Sequence, residues 1–249
     1  MIELNESYVG PRPDIIAVTP PSSRRVLDVG CSNGAVARQL RQHLSGLELL
    51  VGAEIDPSMA EMAAESCDDV VVGDVHDTLL AGKFERFGQF DLIICADSLE
   101  HTADPWSILL LLRQLLADDG VVVISLPNSR HYSLWTSLAF RGVWPYRSRG
   151  INDRTHLRFF CLLNMFELAS SAELDITSIA PVYRLVERPS RINRFARFFA
   201  FPLLREHLAF QYTLVMKPSS RSPVRPRSQP PHRIKRLIRR SEHLSTELS

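Results

Sequence analysis

At 249 residues, 45% hydrophobic and 23% charged, the chain is long enough to bury one good core and has none of the compositional extremes of a fibrous or disordered protein, so one main domain is expected. No apolar run reaches the roughly 18 residues of a membrane span. The start MIELNESYVGPRP lacks both the basic and the apolar part of a secretory signal, so a cytoplasmic protein is expected rather than a secreted or integral membrane one. The net charge of +1 conceals an asymmetry: residues 1–183 carry −10 and residues 184–249 carry +11, which makes the C-terminal quarter a basic appendage.

From residue 24 onward, short runs of Val, Ile and Leu alternate with helical periodicity, which predicts an α/β fold with a doubly wound, mostly parallel sheet and helices on both faces. The strands are RRVLDVG, LELLVGAEI, DDVVVGD, FDLIICAD and GVVVISLP, apolar enough to be buried on both sides. DPSMAEMAAES starts a helix with Asp56 as N-cap and Pro57 at the first helical position. DPWSILLLLRQLLADDG repeats the device with Asp104 and Pro105 and is read as helical up to Gly120. Residues 129–160 are irregular and rich in aromatics, Arg and His, as expected of a mobile lid. A helix near 162–172 and strands near 175–186 and 209–217 follow, with a helical cover over 188–208. One domain is therefore expected over residues 1–217. Residues 218–249 read as a basic, largely disordered tail, PSSRSPVRPRSQPP, ending in a short amphipathic helix within HRIKRLIRRSEHL. The four cysteines, Cys31, Cys67, Cys95 and Cys161, form no CxxC pair, so reduced thiols and no structural metal are expected.

The first glycine turn, VLDVGCSNG, sets the ligand. A dinucleotide site lays its pyrophosphate on glycines spaced G-x-G-x-x-G. Here the order is Gly30, Ser32, Gly34, and the carboxylate of Asp28 would face that anion at a cost of about 1–4 kcal/mol. A cationic ligand without phosphate is favoured, and S-adenosylmethionine, with its ammonium and sulfonium, meets the requirement. Glu54, at the end of the second strand, stands where an acid accepts hydrogen bonds from ribose hydroxyls, and Asp74, at the end of the third, is within reach of an adenine amino group.

VLDVGCSNG, VGAEIDPSMAEMA, VVGDVHD and FDLIICADSLEHTADPWSILLLLRQLLADDGVVVISLPN, in this order and spacing, resemble the successive motifs of class I S-adenosylmethionine-dependent methyltransferases over residues 24–217. NDRTHLRFF and FQYTLVMKP are similar to a subgroup holding quinone-type small-molecule O-methyltransferases and methyltransferases of sugars or glycans. The resemblance implies a Rossmann-like methyltransferase fold. It implies that Asp28, Gly30, Cys31, Ser32 and Gly34 line the methionine end, Glu54 and Ile55 hold ribose and adenine, Asp74 and Val75 form the adenine edge, and Ala96 and Asp97 lie beneath the sulfonium. The family often has glycine at the position of Ser32.

Methyl transfer is an in-line displacement in which the enzyme aligns a nucleophile, and a hydroxyl acceptor also needs a base. ADSLEH lacks the Asn/Asp-Pro-Pro-aromatic signature of many N-methyltransferases, so an oxygen acceptor is expected. His156 in the irregular insert, near Asp153 and Arg158, is the first candidate base, with lid-fixing hydrogen bonds as the other reading. His101 after Glu100 is the second, with a structural or cofactor-side role as its alternative, and His131 comes behind both. Tyr132, Trp135, Trp144 and Tyr146 are candidates to stack on an acceptor ring or to pack the lid.

RINRFARFFAFPLLREHLAF, residues 191–210, interleaves Arg with Phe and Leu. It reads as a cover over the acceptor pocket, or as a surface for an anionic membrane with the protein peripheral at the inner face. A third reading, RNA methylation, draws on the nine basic residues from Lys217 onward, but the tail has no aromatic for base stacking. A non-catalytic binding protein on the same fold is the remaining alternative.

Overall fold

A computed structural model describes residues 10–187, 190–201 and 204–220. The tail beyond residue 220, including the helix expected within 232–244, lies outside the described residues, as do two short pieces of the cover.

Seven strands form one sheet in the order β3-β2-β1-β4-β5-β7-β6. β1 (Arg25–Val29), β2 (Leu49–Glu54), β3 (Asp69–Val72), β4 (Phe90–Ala96) and β5 (Leu116–Pro127) run parallel, and β7 (Ala209–Pro218) is antiparallel to both β5 and β6 (Leu174–Tyr183). The strands alternate between two cores, as a period of two requires. Leu27, Val51, Ile93 and Val122 face one side with Leu109 and Leu112 of α5 (Pro105–Leu115) and Met165 and Leu168 of α7 (Leu162–Ser171). Val26, Leu50, Ile94 and Val123 face the other with Ile15 of α1 (Pro13–Ile16) and Ala37 and Leu40 of α2 (Ala35–His43). Burying one such aliphatic side chain contributes about 1.5–3 kcal/mol, so this two-sided sheet is the stable centre of the molecule.

The helix starts follow the sequence. Asp56 accepts from the N–H of Ser58 (2.8 Å) and Met59 to cap α3 (Pro57–Ala63), and Asp104 accepts from the N–H of Ser107 (3.1 Å) to cap α5. The end of α5 does not. It stops at Leu115, because Leu116 is extended, buried and paired with Phe90, so residues 116–120 belong to β5. Gly120 closes the resulting register break, where a Cβ would lie 2.8 Å from the Leu116 side chain.

The insert contains regular elements. α6 (Tyr132–Thr136) runs into a single π turn, Ser137–Arg141, and the segment is tied to the sheet end by a bridge between Asn128 and Phe160. α4 (Val75–Leu80) precedes β4, and two short helices, α8 (Ala196–Phe199) and α9 (Arg205–Leu208), lie in the cover before β7. All four cysteines are free thiols, and no described helix is long and apolar enough to cross a membrane.

Candidate functional site

The carboxyl ends of the parallel strands gather the acids. After β1 the chain turns through Gly30, Ser32 and Gly34, all with positive φ (75°, 49° and 75°). Gly30 has no substitute there, since a Cβ would also lie 2.8 Å from the Cβ of Ser98 beyond β4. Ser32 adopts the left-handed region with a side chain, at a cost of about 1–2 kcal/mol. Its N–H donates to Glu54 Oε2 (2.8 Å), while Glu54 Oε1 accepts from the N–H of Ile55 (2.9 Å) and Asp56 (3.0 Å), so the carboxylate at the end of β2 is fixed against the turn.

Asp28, inside β1, is 1% exposed and its Oδ2 has no partner. Burial, then the nearby Glu54 carboxylate, push its pKa up to about 7, with Arg12 pulling the other way. A buried carboxyl with an unpartnered oxygen and a pKa near neutrality has the chemistry to pair with a cation. Arg12 itself was not found by sequence reasoning. Its guanidinium forks onto Asp14 (2.9 and 2.8 Å), pairs with Asp97 Oδ2 (2.7 Å) and donates to Ser125 Oγ (2.8 Å). Asp97, at φ 54° past the end of β4, also accepts from Ser125 Oγ (3.0 Å) and from the amide of Gln211 on β7. The segment carrying α1 is thereby strapped across the ends of β4, β5 and β7.

A second cluster stands beyond β4. Glu100 is 1% exposed, its Oε2 has no partner, and burial followed by the Asp97 charge holds its pKa well above the usual carboxylate range. The His101 and His156 rings meet edge to face at 4.7 Å, and one ligand atom from each of Glu100, His101 and His156 falls within 4.8 Å of the others. The tautomers follow from the partners. The Ile151 carbonyl can only accept, so His156 Nδ1–H donates to it (3.2 Å). Thr155 Oγ1 donates to Asp153 Oδ1 (2.7 Å) and so accepts from His101 Nδ1–H (3.1 Å). Both lone pairs therefore lie on Nε2. Burial lowers both pKa values, that of His156 to about 4 with help from His101. Both imidazoles are neutral at pH 7. As a lone base, His156 would take a proton from a phenol-like hydroxyl uphill by roughly 8 kcal/mol, whereas a neutral, oriented imidazole is a good cation ligand. The expectation of no metal rested on the cysteines and did not reach this set.

The other expected residues divide. Ile55 is exposed at the strand end, Ala96 is half-buried beside Asp97, and Val75 packs on the core. Asp74 caps α4, its Oδ1 accepting from the N–H of His76 (2.8 Å) and Asp77 (3.2 Å), which leaves Oδ2 for a ligand. Cys31 turns its thiol inward beside Cys67 and gives its N–H to the Ala53 carbonyl (3.1 Å), so its side chain does not line the cleft. His131 is buried and bonded to Ser133 Oγ (2.9 Å) and the Arg184 carbonyl (3.0 Å), an anchor for the insert rather than a base. Trp144 stacks edge-on against Phe159 (5.0 Å), which borders His156, while Trp135 faces solvent against Phe140. Tyr132 is held by the Leu185 carbonyl, and Tyr146 is exposed near Trp144. Arg158 turns away to the Ala103 carbonyl. Glu100 had a signal, its place beside His101; Arg12, Ser125 and Gln211 had none.

A parallel sheet closed by an antiparallel seventh strand, with acids gathered toward the carboxyl ends of β1, β2 and β4, is a Rossmann-like α/β architecture. The family whose model matches residues 9–179 is described as a methyltransferase domain, and the chain belongs to it. It is 25% identical over 154 residues to the ubiquinone biosynthesis O-methyltransferase of Shewanella halifaxensis (61% of this chain, 63% of the relative) and 28% identical over 156 residues to that of Psychrobacter cryohalolentis (61% and 59%). The chain thus spans less than two thirds of the length of these curated relatives. The fold is that of class I S-adenosylmethionine-dependent methyltransferases, as in the SAM-dependent methyltransferase from Archaeoglobus fulgidus (TM-score 0.53, 18% identity, 78% of this chain and 86% of the other).

Proposed function

We propose that the chain transfers the methyl group of S-adenosylmethionine to a hydroxyl of a small-molecule or sugar-containing acceptor. In this reading Asp28 receives the cofactor ammonium, Glu54 the ribose hydroxyls, and Ile55, Val75 and Asp74 the adenine. Gly30, Ser32 and Gly34 shape the methionine end, and Ala96 and Asp97 lie beneath the sulfonium. The observation that carries the hydroxyl reading is the convergence of Glu100, His101 and His156 next to Asp97. A buried carboxylate oxygen without a partner and two imidazoles with their lone pairs on Nε2 fit a divalent cation. Such an ion would supply Lewis acidity that lowers the pKa of the acceptor hydroxyl. Asp153, through Thr155, and the Ile151 carbonyl would keep the two rings in the ligating tautomer.

Calorimetric titration with S-adenosylhomocysteine, with NAD as the control, tests the cofactor half. Methyl transfer from labelled cofactor to hydroxylated acceptors, with Mn2+ added or chelated, tests the rest. Binding of the homocysteine nucleoside alone, and turnover lost both on chelation and in His156→Ala, is the expected result. Binding without turnover on any hydroxylated acceptor would leave a binding protein on this fold, and transfer to RNA would reverse the acceptor class.

A further inference from the structure

We propose that the insert and the cover together form one face that docks on an anionic lipid bilayer, with the mouth of the candidate site turned toward it. The orientation, though not the docking, rests on the reading of the strand ends as the methyl-transfer site.

The first observation is charge segregation. In a chain whose first 183 residues carry −10, no acid occurs between Asp119 and Asp153, nor between Glu187 and Glu206, and these stretches hold four and five arginines. The structure brings the two stretches together. Arg130 pairs with Glu206 (2.5 Å), Arg147 with Glu187 (3.2 Å), and His131 and Tyr132 bond the carbonyls of Arg184 and Leu185. Glu187 and Glu206 are thus consumed as internal ties, while Arg141, Arg149, Arg191 and Arg194 are exposed.

The second observation is an inverted helix. α8 buries its smallest residue, Ala196, and leaves Phe198 (73% exposed) and Phe199 in solvent, the reverse of a helix seated on a soluble core. Phe195, Phe198, Phe199 and Ile192, with Leu185, surround an open hollow of about 580 Å³ without a polar lining group. On the insert, Phe140 (77% exposed), Trp135 and Tyr146 are likewise turned outward. An aromatic surface of this extent needs a cover. A second copy would bring two arginine-rich faces into opposition. An anionic lipid surface complements both features, taking the rings at the headgroup boundary and the guanidinium groups among the phosphates.

The third observation is position. The insert leaves β5 at its carboxyl end, and the cover joins the end of β6 to the start of β7, which pairs there with Pro127. Both therefore emerge at the end of the sheet that carries Asp28, Glu54, Asp97 and Glu100. A docked molecule would draw its acceptor from the bilayer surface, which implies an acceptor with a lipid or other strongly apolar portion.

Vesicle flotation of the full chain tests this, using phosphatidylcholine alone against phosphatidylcholine with about a third phosphatidylglycerol. The expected result is at least roughly tenfold stronger partition onto the anionic vesicles, weakened by salt. It should be lost in both Phe140→Ser/Phe198→Ser and Arg191→Glu/Arg194→Glu, with S-adenosylhomocysteine binding and the melting transition of both variants unchanged. Equal partition onto the two vesicles overturns the proposal. So does loss of binding on reversing Arg236, Arg239 and Arg240 in the tail with no effect of the face variants, self-association abolished by Phe198→Ser, or retention on RNA in place of vesicles. Because cofactor binding is read separately, flotation without nucleoside binding would sink the proposed function and keep the surface, and the converse would do the opposite.

Discussion

Asp28→Asn separates charge from shape at the centre of the site. The carboxyl is 1% exposed and its pKa stands at about 7 against an ordinary 3.8, so at pH 6 only about a tenth of the protein carries the charge that an ammonium seeks, and at pH 7.5 about three quarters. Apparent affinity for S-adenosylhomocysteine should therefore rise about eightfold over that interval. The asparagine variant should bind roughly 10- to 150-fold more weakly at pH 7.5, from the loss of about 1.5–3 kcal/mol of charge-assisted contact, and should show little pH dependence. Stability moves in the other direction. Between about pH 4 and pH 7 the folded chain keeps a proton that the unfolded chain has lost, so stability falls as pH rises through that window, by up to roughly 4 kcal/mol, and then levels off. The variant lacks this decline and should melt higher than the wild type at pH 7.5. Calorimetry and thermal melts at the two pH values measure both effects. Wild-type affinity that is flat from pH 6 to 7.5, with the variant binding equally well, would refute the placement of the cation at Asp28.

Arg12→Ala should cost about 2–3 kcal/mol in a denaturant melt, discounted from a fully buried pair because Arg12 and Asp97 retain some exposure, with Arg12→Lys recovering only part of it. Gly30→Ala, forced into a left-handed φ and against Ser98, should lower stability by about 2 kcal/mol or more and abolish nucleoside binding measured by calorimetry. Ser32→Gly removes the strain at φ 49° and should leave stability within about 1 kcal/mol of wild type, on the stabilising side, with binding retained. His131→Ala should destabilise by about 1–3 kcal/mol through its two lost bonds at the insert while S-adenosylhomocysteine still binds, a result that a direct catalytic or cofactor role for this histidine would contradict.

Much of the fold is legible in the sequence. The apolar runs located all seven strands, and Asp56-Pro57 and Asp104-Pro105 marked helix starts, because strand periodicity and N-capping are local: they need only residues one to four positions apart. The placement of Asp28, Glu54 and Asp97 toward one edge of the sheet was legible as well, since each lies in or just beyond an apolar strand, and parallel strands deliver such residues to one edge. The end of α5 was misread because the pairing of Leu116 with Phe90, 26 positions away, overrides helical propensity that continues past Leu115.

What the tertiary structure alone decided is of that long-range kind. His101 and His156 were each candidates by residue type, but their edge-to-face meeting joins positions 55 apart, and the role of Glu100 follows from its burial beside them. Arg12 reaches Asp97 across 85 positions and Gln211 reaches it across 114. Cys31, which the resemblance sets at the methionine end, turns its thiol to the core side, where it meets Cys67 beneath Gly52. A sequence determines which residues carry charge, lone pairs and apolar surface. Strand order determines which of them meet, and desolvation then determines whether a carboxyl there is ionised, so the chemistry of this site came into being only when the sheet closed over it.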